Sequence, residues 1–156
     1  MKVVLDSSAI IKRYHVEPGT KEIDILFRWA HEGTHVLVWP LWNVGEVLGT
    51  LDKLRHKEGW SGEVFETTMS KFVAETTTLL EKNNLLLLPI DNRFLFESWP
   101  FIIKYRIYQA DALQLVTAQG EDRILVTADK KLLKAAKTCQ IQTMNPEETA
   151  IQDILS

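Results

Sequence analysis

Residues 2–11 of the chain read KVVLDSSAII, and this stretch decides the fold. Residues 2–5 form a short, mainly apolar and β-branched run that is typical of a buried strand. The Asp-Ser-Ser at residues 6–8 supplies favoured helix N-cap side chains, and the apolar residues 9–11 follow at once. A strand that passes directly into a helix predicts an α/β fold with a parallel sheet.

The alternation of strands and helices continues along the chain. Apolar residues at helical spacing predict helices over 23–30, 44–54 and 61–83, the last two forming a helical hairpin. Apolar or β-branched runs predict further strands over 35–39, 85–90 and 123–127 and an edge strand over 141–143. The remaining predicted helices cover residues 91–106 with an interruption at Pro100, 110–118, 130–137 and 146–155.

Strands separated by helices predict a three-layer α/β/α sandwich with a central, mainly parallel sheet. At 156 residues the chain fits a single domain, residues 1–156. In such folds ligands bind beyond the carboxyl ends of the strands. The predicted site therefore lies where Asp6 and Asp129 follow strand ends.

Composition narrows the class of protein. Apolar residues make up 46% and charged residues 25% of the chain, as in ordinary globular proteins. No secretory signal opens the sequence, and the longest apolar run is far shorter than the roughly 20 residues of a membrane helix. With a single cysteine, Cys139, these features predict a cytoplasmic protein without membrane contact. The net charge of −3 gives no general attraction to nucleic acid.

Four acidic residues are the candidate functional groups: Asp6, Glu46, Asp111 and Asp129. Helix capping or the helix dipole explains each aspartate when it is taken alone. Glu46 lies between Gly45 and Gly49 in a helical pattern, where each glycine costs about 1 kcal/mol relative to alanine. Close approach of a ligand or another backbone explains these glycines, and so does close helix packing.

Convergence of the four carboxylates predicts a metal site. No arginine or lysine is placed to neutralise them in the pattern, so they would raise one another's pKa unless a cation lay between them. Carboxylate oxygens select Mg²⁺ or Mn²⁺, the ions of phosphodiester chemistry. By contrast, the histidines lack zinc-site spacing, and no phosphate-binding glycine loop or serine nucleophile elbow is present.

Four sequence blocks resemble the PIN-domain ribonucleases, in particular the VapC-like toxins of toxin–antitoxin pairs. The blocks are LDSSA at residues 5–9, NVGEV at 43–47, ADAL at 110–113 and LVTAD at 125–129. They occur in the family's order and span almost the whole chain. The resemblance implies a PIN-like fold and a Mg²⁺- or Mn²⁺-dependent endoribonuclease that acts on RNA. It also implies a homodimer and a small antitoxin partner that covers the active groove.

Further polar residues have predicted roles near this site. Ser8 and Thr127 match polar positions beside the family's metal site, where they would hydrogen-bond the ligating carboxylates; turn capping is the alternative. Lys12 and Arg13 lie one or two helical turns beyond Asp6 and are expected to contact RNA or an antitoxin carboxylate, unless they are ordinary surface charges.

Two other functions fit the same pattern. A metal-dependent phosphatase or DNA nuclease would use a similar acid cluster. A catalytically silent PIN-like module would use the acids as helix caps and its groove to bind protein or RNA. Separated carboxylates and no response to metal would favour the silent module.

Overall fold

One five-stranded parallel sheet forms the centre of the molecule, with strand order β3-β2-β1-β4-β5. The computed structural model describes residues 1–155, so the predicted domain's last residue, Ser156, lies outside the described residues. The strands are β1 (Lys2–Leu5), β2 (Val36–Pro40), β3 (Leu85–Leu88), β4 (Arg123–Val126) and β5 (Thr143–Met144).

The strand order places a topological switch point beside β1. Strands β2 and β3 lie on one side of β1 in the sheet, and β4 and β5 lie on the other side. In register, Val4 of β1 pairs with Val38 of β2 and with Leu125 of β4. Because all strands are parallel, their carboxyl ends share one edge, and a ligand is expected at the crevice between β1 and β4.

Helices cover both faces of the sheet, as predicted for a three-layer sandwich. The helices are α1 (Ser7–Ile11), α2 (Thr20–Glu32), α3 (Trp42–Glu58), α4 (Gly62–Glu81), α5 (Asn92–Tyr105), α6 (Gln109–Ala118), α7 (Lys130–Thr138) and α8 (Gln152–Leu155). One core joins α1–α4 and α8 to side chains such as Leu5 and Trp39. A second core joins α5–α7 to Val4, Val38 and Leu125 on the other face.

The predicted helical hairpin is formed by α3 and α4. Helix α3 ends at Gly59, whose positive φ of 67° suits a residue without a Cβ. Ser61 then caps α4 by accepting a hydrogen bond from the backbone N–H of Val64. A helix-ending signal and a helix-starting signal within three residues explain why the turn of the hairpin could be predicted from the sequence.

Helix α5 corrects the prediction of an interruption at Pro100, because it runs unbroken from Asn92 to Tyr105. Proline removes the hydrogen bond to the carbonyl four residues earlier, which is that of Phe96. Both Pro100 and Phe96 are exposed on the outer side of the helix. Solvent can therefore satisfy the freed carbonyl, and the helix continues.

The C-terminal region also differs from prediction. Its helix begins at Gln152 instead of residue 146, because Asn145 forms a turn in which its side-chain oxygen accepts from the Glu147 N–H. The Ile151 N–H donates to Glu22 of α2 at 2.7 Å, which fixes this segment to the helical layer that contains α2.

Within residues 1–155, no helix combines the length and apolar character needed to cross a bilayer.

Candidate active site at the carboxyl edge of the sheet

Asp6 lies directly beyond β1 and is the most enclosed of the candidate acids, at 6% exposure. Its Oδ1 caps α1 by accepting from the Ala9 N–H at 2.8 Å. The Ser8 hydroxyl lies 3.0 and 2.9 Å from its two oxygens, and the Thr127 hydroxyl donates to Oδ2 at 2.6 Å. Three neighbouring donors therefore fix the orientation of this carboxylate.

The environment of Asp6 disfavours its charge in spite of these donors. Burial raises the pKa of the carboxyl from 3.8 to about 6, outweighing the opposite effect of the hydrogen bonds from Thr127, Ala9 and Ser8. The negative charge of Asp129 contributes to the increase. A nearby cation would offset both effects.

Asp129 follows β4 and caps α7, as its sequence context predicted. Its Oδ1 accepts from the backbone N–H groups of Lys131 and Leu132, each at 2.8 Å, while Oδ2 accepts no hydrogen bond within the described chain. The Asp129 N–H donates to the Thr127 hydroxyl at 3.0 Å. Since that hydroxyl also donates to Asp6, Thr127 connects the two carboxylate-bearing loops.

Asp111 and Glu46 reach the same region from helices in opposite layers. Asp111 is half-buried in the first turn of α6, where the nearby Tyr108 N–H favours the charged form of its carboxyl. Burial raises its pKa, the negative charges of Asp129 and Glu46 raise it further, and Lys131 acts in the opposite direction. The negative charge of Asp129 therefore raises the pKa of both Asp6 and Asp111. We call Asp6, Glu46, Asp111 and Asp129 the acidic edge.

No ion pair neutralises the acidic edge in the described part of the chain. The ion pairs of residues 1–155 involve other acids throughout. Within residues 1–155, no three His, Cys, Asp or Glu side chains together surround a point suited to a metal ion. The oxygen donors of the acidic edge are nevertheless of the type that a divalent cation prefers, and they carry uncompensated negative charge.

Two buried amide side chains, whose role was not predicted from the sequence, hydrogen-bond next to the acidic edge. Asn43 of α3 donates to the carbonyl of Leu5 at 2.7 Å, and Gln114 of α6 donates to the Asn43 side chain at 2.5 Å. This relay ties both acid-bearing helices to the residue before Asp6. Gln114, three positions after Asp111 in an apolar helix, was the available signal, because a buried amide there needs a partner.

Lys12 and Arg13 are not ordinary surface charges, because both form ion pairs within the protein. The Lys12 side chain is 3% exposed and pairs with Glu17 at 3.0 Å and Glu147 at 2.7 Å. Arg13 pairs with Asp24 at 2.7 Å and Glu75 at 2.8 Å. These ion pairs join α1 to its neighbours, and a contact of either residue with RNA or an antitoxin stays a prediction.

Gly45 and Gly49 also depart from expectation. A Cβ built on either residue would meet nothing within 4 Å, so neither close helix packing nor a neighbouring backbone accounts for them. Both instead line a groove of about 680 Å³ that also includes Ser7 and Glu46. The two glycines therefore keep open a space that continues from the acidic edge.

A family model of the PIN domain matches residues 3–138, most of the chain. The chain belongs to the PIN-domain family. The parallel sheet between helical layers is the fold that the sequence resemblance predicted. No curated protein matches the chain in a sequence comparison.

Several solved structures share this fold. A chain of FitAcB from Neisseria gonorrhoeae superposes with a TM-score of 0.63 at 16% identity, covering 94% of this PIN domain and 99% of that chain. A chain of VapBC2 from Rickettsia felis, bound to a DNA fragment from their promoter, gives 0.59 at 13% identity, with coverages of 93% and 98%. PAE2754 from Pyrobaculum aerophilum gives 0.55 at 16% identity, with coverages of 99% and 96%. At these identities the likeness concerns the fold.

Proposed function

We propose that this PIN domain is a metal-dependent endoribonuclease that hydrolyses RNA phosphodiester bonds and serves as the toxin of a toxin–antitoxin pair. PIN domains are generally nucleases, which gives the reaction class. The observation that carries the proposal is the acidic edge, where Asp129 acts on both Asp6 and Asp111 and no ion pair compensates them within residues 1–155. Helix capping alone does not require these acids to lie close enough to influence one another's charge, as Asp129 does for Asp6 and Asp111.

In this proposal Asp6, Glu46, Asp111 and Asp129 hold Mg²⁺ or Mn²⁺. Asp129 offers the oxygen that capping leaves free, while Ser8 and Thr127 hold the Asp6 carboxylate in one orientation. When bound, the metal would supply positive charge to the scissile phosphate and make a water molecule more acidic. The positive charge would thereby offset the burial and the neighbouring negative charges that raise the pKa values of Asp6 and Asp111.

The protein's own groups account for the rest of the proposed chemistry. Lys131 is the cation whose charge reaches Asp111, and its position at the first turn of α7 suits it to bind a substrate phosphate. The half-buried Asp111 carboxylate would also orient the attacking water, whose proton the bound metal would make easier to remove. The Asn43–Gln114 relay would keep Glu46 and Asp111 at a fixed separation from Asp6.

The proposed partners follow from the relatives. VapBC2 is, by its description, a pair that binds its own promoter, and FitAB was also solved on DNA. We infer that a small antitoxin protein binds this PIN domain over the acidic edge, and that the toxin is a homodimer. A cytoplasmic location, where RNA is accessible, is part of the same proposal.

Hydrolysis assays with purified protein test the proposed reaction. Single-stranded RNA, single-stranded DNA and a phosphomonoester are each incubated with Mg²⁺, Mn²⁺ or a chelator. We expect internal cleavage of RNA that requires either metal and stops with the chelator. Preferential hydrolysis of DNA or of the monoester would instead identify a DNA nuclease or phosphatase. No hydrolysis and no response to metal would favour the silent binding module.

A further inference from the structure

The groove beside the acidic edge follows one face of α3. Trp42, Gly45, Glu46, Gly49 and Lys53 recur at spacings of three and four residues, so they lie along a single helical stripe. Over the seven residues from Glu46 to Lys53 the helix advances about 10 Å. The groove therefore extends along α3 to both sides of Glu46, toward Trp42 in one direction and toward Lys53 in the other.

The floor and walls of the groove differ in chemistry. Gly45 and Gly49 give it a floor without side chains, and the space above both positions is open. Trp42 is 46% exposed, and Leu41 and Ile90 add apolar surface beside it. An exposed indole next to a flat floor is suited to a planar ring, which it can contact face to face.

A free cation lies at the end of the groove away from Glu46. Lys53 is exposed, and within residues 1–155 it forms no ion pair, although Asp52 beside it pairs with His56. A lysine in this position is available for a phosphate group. The groove thus offers an apolar stacking surface at Trp42 and positive charge at Lys53, with Glu46 of the proposed reaction centre between them along α3.

We propose that this groove binds an unpaired segment of the RNA substrate across the proposed reaction centre, with one base stacked on Trp42 and a phosphate farther along the strand bound by Lys53. This inference rests on the proposed ribonuclease function and names a subsite of it. An unpaired strand fits better than a partner helix, because the exposed indole and the cation lie at the two ends of one narrow face, with Glu46 between them. Base-paired RNA would keep its bases stacked in the duplex, so the subsite selects single strands.

Two matched pairs of variants test the subsite by steady-state cleavage of a single-stranded RNA. Trp42→Ala removes the stacking surface, and Trp99→Ala, at a tryptophan of 48% exposure on α5, makes the same change away from the groove. Gly49→Leu fills the floor, and Gly62→Leu adds the same side chain at an open position of α4. Stacking contributes about 1–3 kcal/mol per base, so we expect Trp42→Ala to raise KM about tenfold with kcat retained.

The remaining expectations complete the test. Gly49→Leu should raise KM similarly, whereas Trp99→Ala and Gly62→Leu should match the wild type. The wild type should cleave an RNA that lacks the stacked base with a higher KM than the intact RNA. Trp42→Ala should cleave both RNAs with the same KM, because it has no stacking contact to lose. Folding of each variant is checked by its thermal unfolding.

Each contrary result has a distinct meaning. If the wild type cleaves RNA and both groove variants keep the wild-type KM, the subsite is overturned while the ribonuclease function stands, and a protein occupant becomes the explanation for the groove. If the wild type cleaves no RNA with either metal, the proposed function fails, and the subsite fails with it.

Discussion

Two clusters of acidic residues in this PIN domain show opposite electrostatic arrangements. Glu75 of α4 accepts hydrogen bonds from the Arg13 guanidinium at 3.0 and 2.8 Å and from the Tyr14 hydroxyl at 2.9 Å. Its carboxylate also lies 2.9 Å from the His31 ring. Arg13 also pairs with Asp24. We call these five residues the paired cluster. The acidic edge, by contrast, contains four acids and no ion pair within the described residues.

The pKa values reflect this difference. Burial alone would raise the pKa of Glu75, but hydrogen bonds from Arg13 and His31 outweigh it and the pKa is lowered. At Asp6, burial prevails and the pKa rises to about 6. The comparison teaches that the fold neutralises the acids that connect its helices and leaves uncompensated the acids that we assign to metal binding.

The largest expected difference between the two clusters is in the rate of RNA cleavage. Asp6→Asn and Asp111→Asn should each lower RNA cleavage at least ~100-fold, because loss of a group that merely supports a metal ligand already costs about 10–100-fold. Glu75→Gln, the matched change in the paired cluster, should leave cleavage near the wild-type rate below its unfolding temperature. Equal losses in all three variants would show that the two clusters do not differ in function.

A smaller effect concerns pH and stability without metal. Asp6 binds its proton more tightly in the folded state, so its contribution to folding stability is present below pH 4 and is lost as pH rises to about 6. The shift corresponds to about 3 kcal/mol. Urea unfolding of wild type and Asp6→Asn with a chelator should give a stability difference that changes by up to this amount between pH 4 and 7, in favour of the variant. A difference independent of pH would contradict the assigned environment of Asp6.

Glu75→Gln should destabilise the fold by about 2 kcal/mol at pH 7, because it leaves Arg13 with one carboxylate partner in a partly buried position. Substitutions in the paired cluster should therefore lower the free energy of unfolding, whereas substitutions in the acidic edge should lower the rate of RNA cleavage. Urea unfolding of the variant beside the wild type measures the effect. An unchanged midpoint would mean that the ion pairs of Glu75 contribute nothing to the fold.

The smallest effect separates two buried threonines. Thr127→Val removes a hydroxyl that donates to Asp6 and accepts from the Asp129 N–H, so it should cost about 1 kcal/mol of stability and about tenfold in cleavage. Thr76→Val on α4 removes a buried hydroxyl that has no hydrogen-bond partner in the described chain, and should be neutral or stabilising. Unfolding midpoints and cleavage rates of the two variants, compared directly, test whether Thr127 supports the acidic edge.

The sequence predicted the layers and the order of elements because their signals are local. The run from Lys2 to Leu5 followed by Asp6 marks a strand and a cap without reference to the rest of the chain. The interruption assigned to Pro100 was wrong because its outcome depended on which side of α5 faces solvent, and that is set by packing against α6.

The candidate site was predictable to the same extent. The positions of Asp6 and Asp129 after strand ends placed them at one edge of a parallel sheet. The partners of Lys12 and Arg13 were not predictable, since Glu147 and Glu75 are distant in sequence and come close only in the folded chain. The open space above Gly45 and Gly49 likewise depends on what other elements leave uncovered.

Calorimetric titration with Mn²⁺ at neutral pH tests the central claim most directly, because it measures the acidic edge without any assumption about the substrate. The proposed site predicts saturable binding to the wild type and to Glu75→Gln, together with a loss of binding in both Asp6→Asn and Asp111→Asn. Equal binding to all four proteins, or no binding to the wild type, would contradict the assignment of these acids as the metal site.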